Sequence, residues 1–137
     1  MAIRYLDSAG KIAERQLPGF FVGWLDPPSP KTHLAILMGS DHVVLAYDDE
    51  IERVVGFITA ISDGVLSAYI PLLEVLGPYR GQGIGSELVR RMAVQLDGLY
   101  MIDLLCDSEL EPFYARFGFK PGFGMMIRNY RHQSGNG

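Results

Sequence analysis

A single cysteine, Cys106, occurs in 137 residues, so no disulfide can close within the chain. That fits a reducing cytoplasm, the expected compartment. Histidine is nearly as scarce. His33, His42 and His132 stand far apart, and none has the spacing to another His or Cys that a metal site needs, so no metal is expected. No apolar run approaches the roughly 20 residues of a membrane helix; Val54–Ile61 spans only eight. Arg4, Asp7 and Lys11 fall where a signal peptide would carry its apolar core, which argues against secretion. Basic residues are in deficit, 12 against 16 acidic, for a formal charge of −4. A chain built to coat nucleic acid needs the opposite balance, so neither nucleic acid nor a membrane is an expected partner.

What is present reads as one folded domain spanning residues 1–137. Hydrophobic residues make up 48% and charged residues 20%, an ordinary globular mix at a one-domain length. Glycine is the outlier. Four of its 16 copies (Gly77, Gly81, Gly83 and Gly85) fall within nine positions.

The first third is irregular. Ile3–Leu6 suits a short strand and Lys11–Leu17 a short helix stopped by Pro18-Gly19. Pro27, Pro28 and Pro30 make a stiff surface loop, after which Ser29 or Thr32 can cap a helix through His33, Leu34, Leu37 and Met38, closed by Gly39. From His42 the texture is β. Val43–Tyr47 and Arg53–Ile61 read as strands, and Asp63-Gly64 as a hairpin turn. The next strand, Ser67–Leu76, carries Pro71, which lacks a ladder N–H and so calls for a bulge or an unpaired edge.

Strand, loop, helix and strand then alternate. Ile84, Leu88, Met92 and Leu96 recur every four residues and mark a helix over about 83–96. Tyr100–Cys106 is a nearly continuous apolar run, as for a strand buried on both faces. Strand, crossover helix and second strand make a right-handed βαβ unit. Ser108-Glu109-Leu110-Glu111 has a capping-box pattern, with Leu110, Phe113, Tyr114 and Phe117 on one helix face and Gly118 as the stop; Pro112 is an alternative first residue. Phe123–Ile127 reads as a last strand. The expected class is α/β, a mixed and mostly antiparallel sheet flanked by helices, with one parallel crossover.

The segment Leu76-Gly77-Pro78-Tyr79-Arg80-Gly81-Gln82-Gly83-Ile84-Gly85-Ser86 joins a strand to a helix. Glycine lets consecutive N–H groups turn into one concavity, and the helix start adds its own unpaired N–H groups and positive dipole end. Arg80 adds charge and Ser86 a hydroxyl. The set suits phosphate or pyrophosphate; a turn that needs glycine for packing alone is the competing reading. A P-loop fails for want of a lysine before Ser86. A dinucleotide fingerprint fits poorly, because the loop lies past mid-chain, although Asp103 and Asp107 stand near the required distance beyond Gly85.

Arg80-Gly81-Gln82-Gly83-Ile84-Gly85 resembles the Arg/Gln-x-x-Gly-x-Gly/Ala loop of the GCN5-related N-acetyltransferases (GNAT), and Phe113-Tyr114-Ala115-Arg116-Phe117-Gly118-Phe119 their Phe-Tyr-x-x-x-Gly-Phe helix end. The two lie about thirty residues apart with one helix and one strand between them. The likeness is specific over roughly 66–128. It implies a GNAT-like fold and transfer of an acetyl group from acetyl-CoA to an amine on a small molecule or peptide, by direct attack in a ternary complex. It assigns the N–H groups of Gly81, Gln82, Gly83, Ile84, Gly85 and Ser86 to the pyrophosphate, with the Arg80 side chain nearby. Leu73 and Val75 would bond the pantetheine amides, with the Val75 N–H toward the thioester carbonyl, and Tyr114 would be the general acid. A homodimer is compatible with these features.

The chemistry agrees. A phenol can protonate a departing thiolate while N–H donors hold the oxyanion, although Tyr114 can equally be a core aromatic. Glu74, charged in an apolar strand, is the first candidate for the base, and Asp103 the second; a paired strand-edge carboxylate is the plainer reading of Glu74. Asp107 stands where the family often has a pantetheine-contacting asparagine, and a carboxylate cannot donate as an amide does. Cys106 as an acyl-enzyme nucleophile is disfavoured, since nothing nearby in sequence lowers its pKa. Phe20, Phe21, Trp24, Asp26, Tyr69 and Phe123 are candidates for the acceptor side, with core packing preferred for most. A non-catalytic acyl-CoA sensor is the alternative function, and nucleotide binding a third.

Overall fold

Branched and aromatic residues crowd the middle of the chain, and there they form the centre of a five-stranded sheet in a computed structural model that describes residues 2–136. The strands are β1 (Ile3–Leu6), β2 (His42–Asp48), β3 (Arg53–Ser62), β4 (Ser67–Val75) and β5 (Met101–Leu104), in that spatial order. All neighbours are antiparallel except β4 and β5, which run parallel. Helix α1 (Pro30–Gly39) follows the N-terminal loops, α2 (Ile84–Gln95) is the crossover from β4 to β5, and α3 (Glu111–Ala115) follows β5. The expected mixed sheet with one parallel crossover is the observed one.

Local chemistry explains most boundaries. Ser29 caps α1 by accepting the Thr32 N–H at 3.2 Å, and Pro30 begins the helix. The Asp63 carboxylate accepts N–H bonds from Val65, Leu66 and Ser67, closing the β3–β4 turn with Gly64 at φ +74°. Those bonds favour its ionised form and pull its pKa down to about 2. On α2, Ile84, Leu88, Val89 and Met92 are buried against the sheet. Gly56 on β3 permits the approach, since a Cβ there would lie 3.2 Å from Leu88 and 3.3 Å from Ile84.

The bulge expected at Pro71 is present. Thr59 pairs with Leu72 and Ile61 with Tyr69, so β4 spends one more residue than β3 at this point. The β4–β5 ladder also stops there, at Ile70 opposite Leu104.

Four expectations change. The helix over 11–17 shrinks to one 3₁₀ turn, Glu14–Gln16, anchored when the Gln16 side chain accepts the Ala13 N–H and donates to Tyr47. The capping box does not form; a 3₁₀ turn at Ser108–Leu110 precedes α3, with Pro112 in its first turn. The strand buried on both faces is instead an edge strand of four residues with alternating half-buried and exposed side chains. Its apolar run had a second cause, the loop beyond Leu104 that lines a cavity. Phe123–Ile127 forms no ladder.

His33 sits in the core at 1% exposure, with its ring against Phe57, Phe21 and Phe20 at 4.4, 4.9 and 5.2 Å between centroids. Neither ring nitrogen meets a hydrogen-bond partner among the described residues. Burial penalises the imidazolium and lowers the pKa from 6.5 to about 4. The unfolded chain therefore binds this proton more readily, so its contribution to stability is complete above pH 6.5 and is lost as pH falls toward 4. Thermal melts between those limits should show a falling Tm for the native chain and a shallower fall for His33→Leu; parallel curves would sink this account.

Candidate active site

The end of the β4–β5 ladder opens a cleft. Past Ile70, the outer edge of β4 has no strand beside it. The Leu76 N–H donates to Val55 O on β3 at 2.9 Å. By the alternation of a strand, the main-chain N–H and C=O of Val75 and Leu73 point the other way, into the cleft. The Arg80 Nε donating to Val75 O at 3.0 Å agrees with that orientation.

The glycine loop borders the same cleft. Gly81 and Gly83 have φ of +78° and +84°, the left-handed region where a side chain would be strained. Gly83 is the N-cap of α2, and the N–H groups of 81–86 make no hydrogen bond among the described residues. They form an open row of donors at the positive end of a twelve-residue helix. Gly85 lies between Val75 and Phe113, each within about 3.8 Å of where a Cβ would stand. The first turn of α2 is thus wedged between β4 and α3. The Gln82 side chain turns back to Pro78 O, so only its main-chain N–H joins the row.

Arg116 was missed as a site residue in the sequence. Its guanidinium donates to Ser86 Oγ at 2.7 Å and lies over the rings of Phe113 and Phe117. It places a second cation beside the donor row and ties the two motifs together. Its place inside the Phe-Tyr-Ala-Arg-Phe-Gly-Phe stretch was the available signal.

A cavity of about 520 Å³ occupies the cleft, and Leu73, Glu74, Arg80, Asp107 and Tyr114 all line it. Five expected site residues from two elements and two loops thus meet in one place, with Val75 next to Glu74 and 81–86 next to Arg80 along the chain. Asp103 lines a different cavity with Tyr69 and Phe123. Phe21 and Trp24 form part of the wall; Phe20 turns into the core, and Asp26 has its N–H bonded to Gln133.

Glu74 is held by main chain. Its Oε1 accepts the Phe21 N–H at 2.7 Å and its Oε2 the Val22 N–H at 3.3 Å. Phe21 has a φ of +64°, uncommon for a residue with a side chain, and packs at 4% exposure against Trp24 and His33. The carboxylate on β4 therefore latches the N-terminal loop over the cavity. Tyr114 is half-buried between Phe113 and Phe119, and burial raises its phenol to about 12. Partial burial and the carboxylates of Glu111, Asp107 and Glu109 push the Cys106 thiol up, so its thiolate is disfavoured.

The chain belongs to the GNAT acetyltransferases: the model of the acetyltransferase (GNAT) domain matches residues 39–121. Among solved structures, a protein from Deinococcus radiodurans R1, solved as a candidate acetyltransferase, is 44% identical, with a TM-score of 0.93 over 96% of this chain and 92% of its own. A GNAT family acetyltransferase from Streptococcus pneumoniae TIGR4 is 26% identical with a TM-score of 0.74, over 93% and 98%. An uncharacterized N-acetyltransferase, ycf52, of Gracilaria tenuistipitata var. liui is 30% identical over 101 residues, 72% of this chain. This chain spans 56% of that relative and 47% of a histone acetyltransferase of Glycine max that it also matches. Among the described residues no helix is long and apolar enough to cross a membrane.

Removing the latch should cost stability. Glu74→Ala leaves the Phe21 N–H without an acceptor, for a loss of about 1–3 kcal/mol in urea unfolding, and Glu74→Gln, which keeps one acceptor, should lose less. Equal stability in all three proteins would mean that the loop is held by its aromatic packing alone.

Proposed function

We propose that the protein transfers an acetyl group from acetyl-CoA to a primary amine on a small molecule or peptide, by direct attack with donor and acceptor bound together. The carrying observation is that Leu73 and Glu74 of the open β4 edge, Arg80 before the row of free N–H groups at the start of α2, and Tyr114 line one cavity. Acetyl-CoA supplies an acyl group activated as a thioester. The residues present fit its anionic and amide-bearing parts: the N–H groups of 81–86 with Arg80 and Arg116 suit pyrophosphate, and the main chain of Leu73 and Val75 suits pantetheine amides. Asp107 lines the same cavity and offers only acceptors there.

Each side chain then has a task its environment supports. The Val75 N–H donates to the carbonyl oxygen as it gains charge. Glu74 takes the proton that the attacking nitrogen must lose, directly or through a water, with lone pairs left over from its two main-chain bonds. Tyr114 gives its proton to the departing sulfur. Burial that raises the phenol also disfavours the thiolate beside it, so the two proton affinities rise together. Phe21 and Trp24 offer the acceptor an apolar wall. Cys106 stays a thiol, which supports direct attack over an acyl-cysteine route.

Tyr114→Phe should lower kcat about 100-fold, the low end for a lost general acid, with acetyl-CoA binding intact by calorimetry. Normal turnover would remove Tyr114 from the mechanism. The acid must stay protonated to act, so a group with a pKa of about 12 imposes no alkaline fall below that pH; a descending limb that Tyr114→Phe abolishes near neutrality would contradict this. Glu74→Gln should lower kcat about 100-fold with acetyl-CoA binding intact, and unchanged kcat would remove Glu74 as the base. Arg116→Ala should weaken acetyl-CoA binding about tenfold, more at low salt than at high.

A further inference from the structure

The N–H row of 81–86 has to keep its place without bonds of its own. None of those groups is paired among the described residues, and Gly77, Gly81 and Gly83 give the backbone before α2 more freedom than other residue types would. A site that orders only when its ligand arrives binds more weakly, because the ordering is then a cost of binding. Whatever fixes the row beforehand therefore sets part of the affinity for an anion.

On one side the row is fixed by packing, since α2 sits on β3 where Gly56 leaves room. On the other side, 77–82 bond almost wholly to their neighbours. The Tyr79 N–H donates to Leu76 O, the Arg80 N–H to Gly77 O, Arg80 Nε to Val75 O and the Gln82 side chain to Pro78 O. Such short-range bonds shape the loop without tying it to the rest of the fold. One bond does tie it. The Tyr79 hydroxyl donates to Asp48 Oδ2 at 2.8 Å, across 31 residues. Among the described residues it is the one hydrogen bond from 77–82 to a distant part of the chain.

The far end of that bond is firmly held. Asp48 closes β2, with Ile3 of β1 opposite it on one side and Arg53 of β3 on the other. It is 1% exposed, and its other oxygen accepts the Glu50 N–H at 2.9 Å. A carboxylate is costly to bury unless donors meet it, and as an acceptor it makes the hydroxyl bond stronger than a neutral group would. The Tyr79 ring is half-buried against the core, so it keeps its place when only the oxygen is removed. Arg53 donates to Pro18 O, so the turn between β2 and β3 holds both the glycine loop and the N-terminal loop that carries Phe21.

We propose that Tyr79 is a positioning residue for the donor: through its bond to Asp48 it fixes where the N–H row of 81–86 stands, so that a pyrophosphate meets a row already ordered. Tyr79 does not line the cavity and acts through the loop it carries. The effect on donor affinity rests on the proposed acetyl transfer; the ordering of the loop does not.

Tyr79→Phe removes one oxygen and keeps the ring. Amide nitrogen relaxation by NMR on the free chain should give Gly81 and Gly83 order parameters near the ~0.85 of rigid backbone in the native protein, and below about 0.6 in Tyr79→Phe. Calorimetry with CoA should give a dissociation constant about tenfold higher for the variant. The KM for acetyl-CoA should rise with it, while kcat at saturating donor stays within about twofold. Adding Asp48→Asn to Tyr79→Phe should raise the CoA constant no further, because their shared bond is already gone; additive losses overturn the pairing. Loop amides as rigid in Tyr79→Phe as in the native protein overturn the proposal. So does an unchanged CoA constant, even where the variant melts earlier, since the bond then serves stability alone. A native chain that binds no CoA removes the acetyl-CoA reading and with it the effect on affinity, while relaxation still decides whether Tyr79 and Asp48 order the loop.

Discussion

A missing N–H group organises this protein. Pro71 cannot donate to a ladder, and at that point the pairing between β4 and β5 stops, at Ile70 opposite Leu104. The bulge at the same place gives β4 an extra residue relative to β3. From there on, β4 stays paired to β3 but exposes its other edge. Into that opening come Arg80 from the glycine loop, the loop after β5 and Tyr114 of α3. A continuous five-stranded sheet with Leu73 and Val75 paired to β5 would leave no cleft for Arg80 and Tyr114 to line.

The cleft is kept open and lined by contacts of different strength. On one face α2 is packed onto β3 where Gly56 leaves room, which fixes the donor row beside Val75. On the other, Glu74 holds Phe21 and Val22 by their N–H groups, and Phe21 in turn packs in the cluster of Trp24, His33 and Phe57. A buried neutral imidazole at the centre of that cluster makes this side of the cleft the acid-sensitive one. The side formed by the start of α2 has no such element. Its positive potential comes from main-chain dipoles and from Arg80 and Arg116, so a chain with a net charge of −4 can still attract an anion locally.

The legible parts of the sequence were those whose physics is local. Ser29-Pro30 caps and starts a helix by short-range geometry, Asp63-Gly64 closes a turn, and the four-residue recurrence from Ile84 specifies which face of α2 is buried. Gly81 and Gly83 had to be glycine for a backbone reason, and the bulge at Pro71 followed from one absent donor. The misread parts were those where a residue type had two causes. Tyr100–Cys106 is apolar partly as a strand and partly as cavity wall. Phe123–Ile127 has strand composition, yet no edge in its own chain takes it. The Ser108–Glu111 capping pattern instead folds as a 3₁₀ turn, and Pro112 sits in the first turn of α3.

Sequence alone determined the class of fold, the order of its elements, and the residue types able to cradle a phosphate or pass a proton. These depend on periodicity, on the conformational freedom of glycine and on side-chain chemistry, all readable within a dozen residues. Tertiary structure decided which of those residues meet. Glu74 and Phe21 are far apart along the chain but are joined by a 2.7 Å hydrogen bond, Arg116 reaches Ser86 across the gap between two motifs, and Asp103 falls outside the cavity that Glu74 lines. Such long-range contacts are set by where a ladder ends and how a helix packs, and no local pattern encodes them.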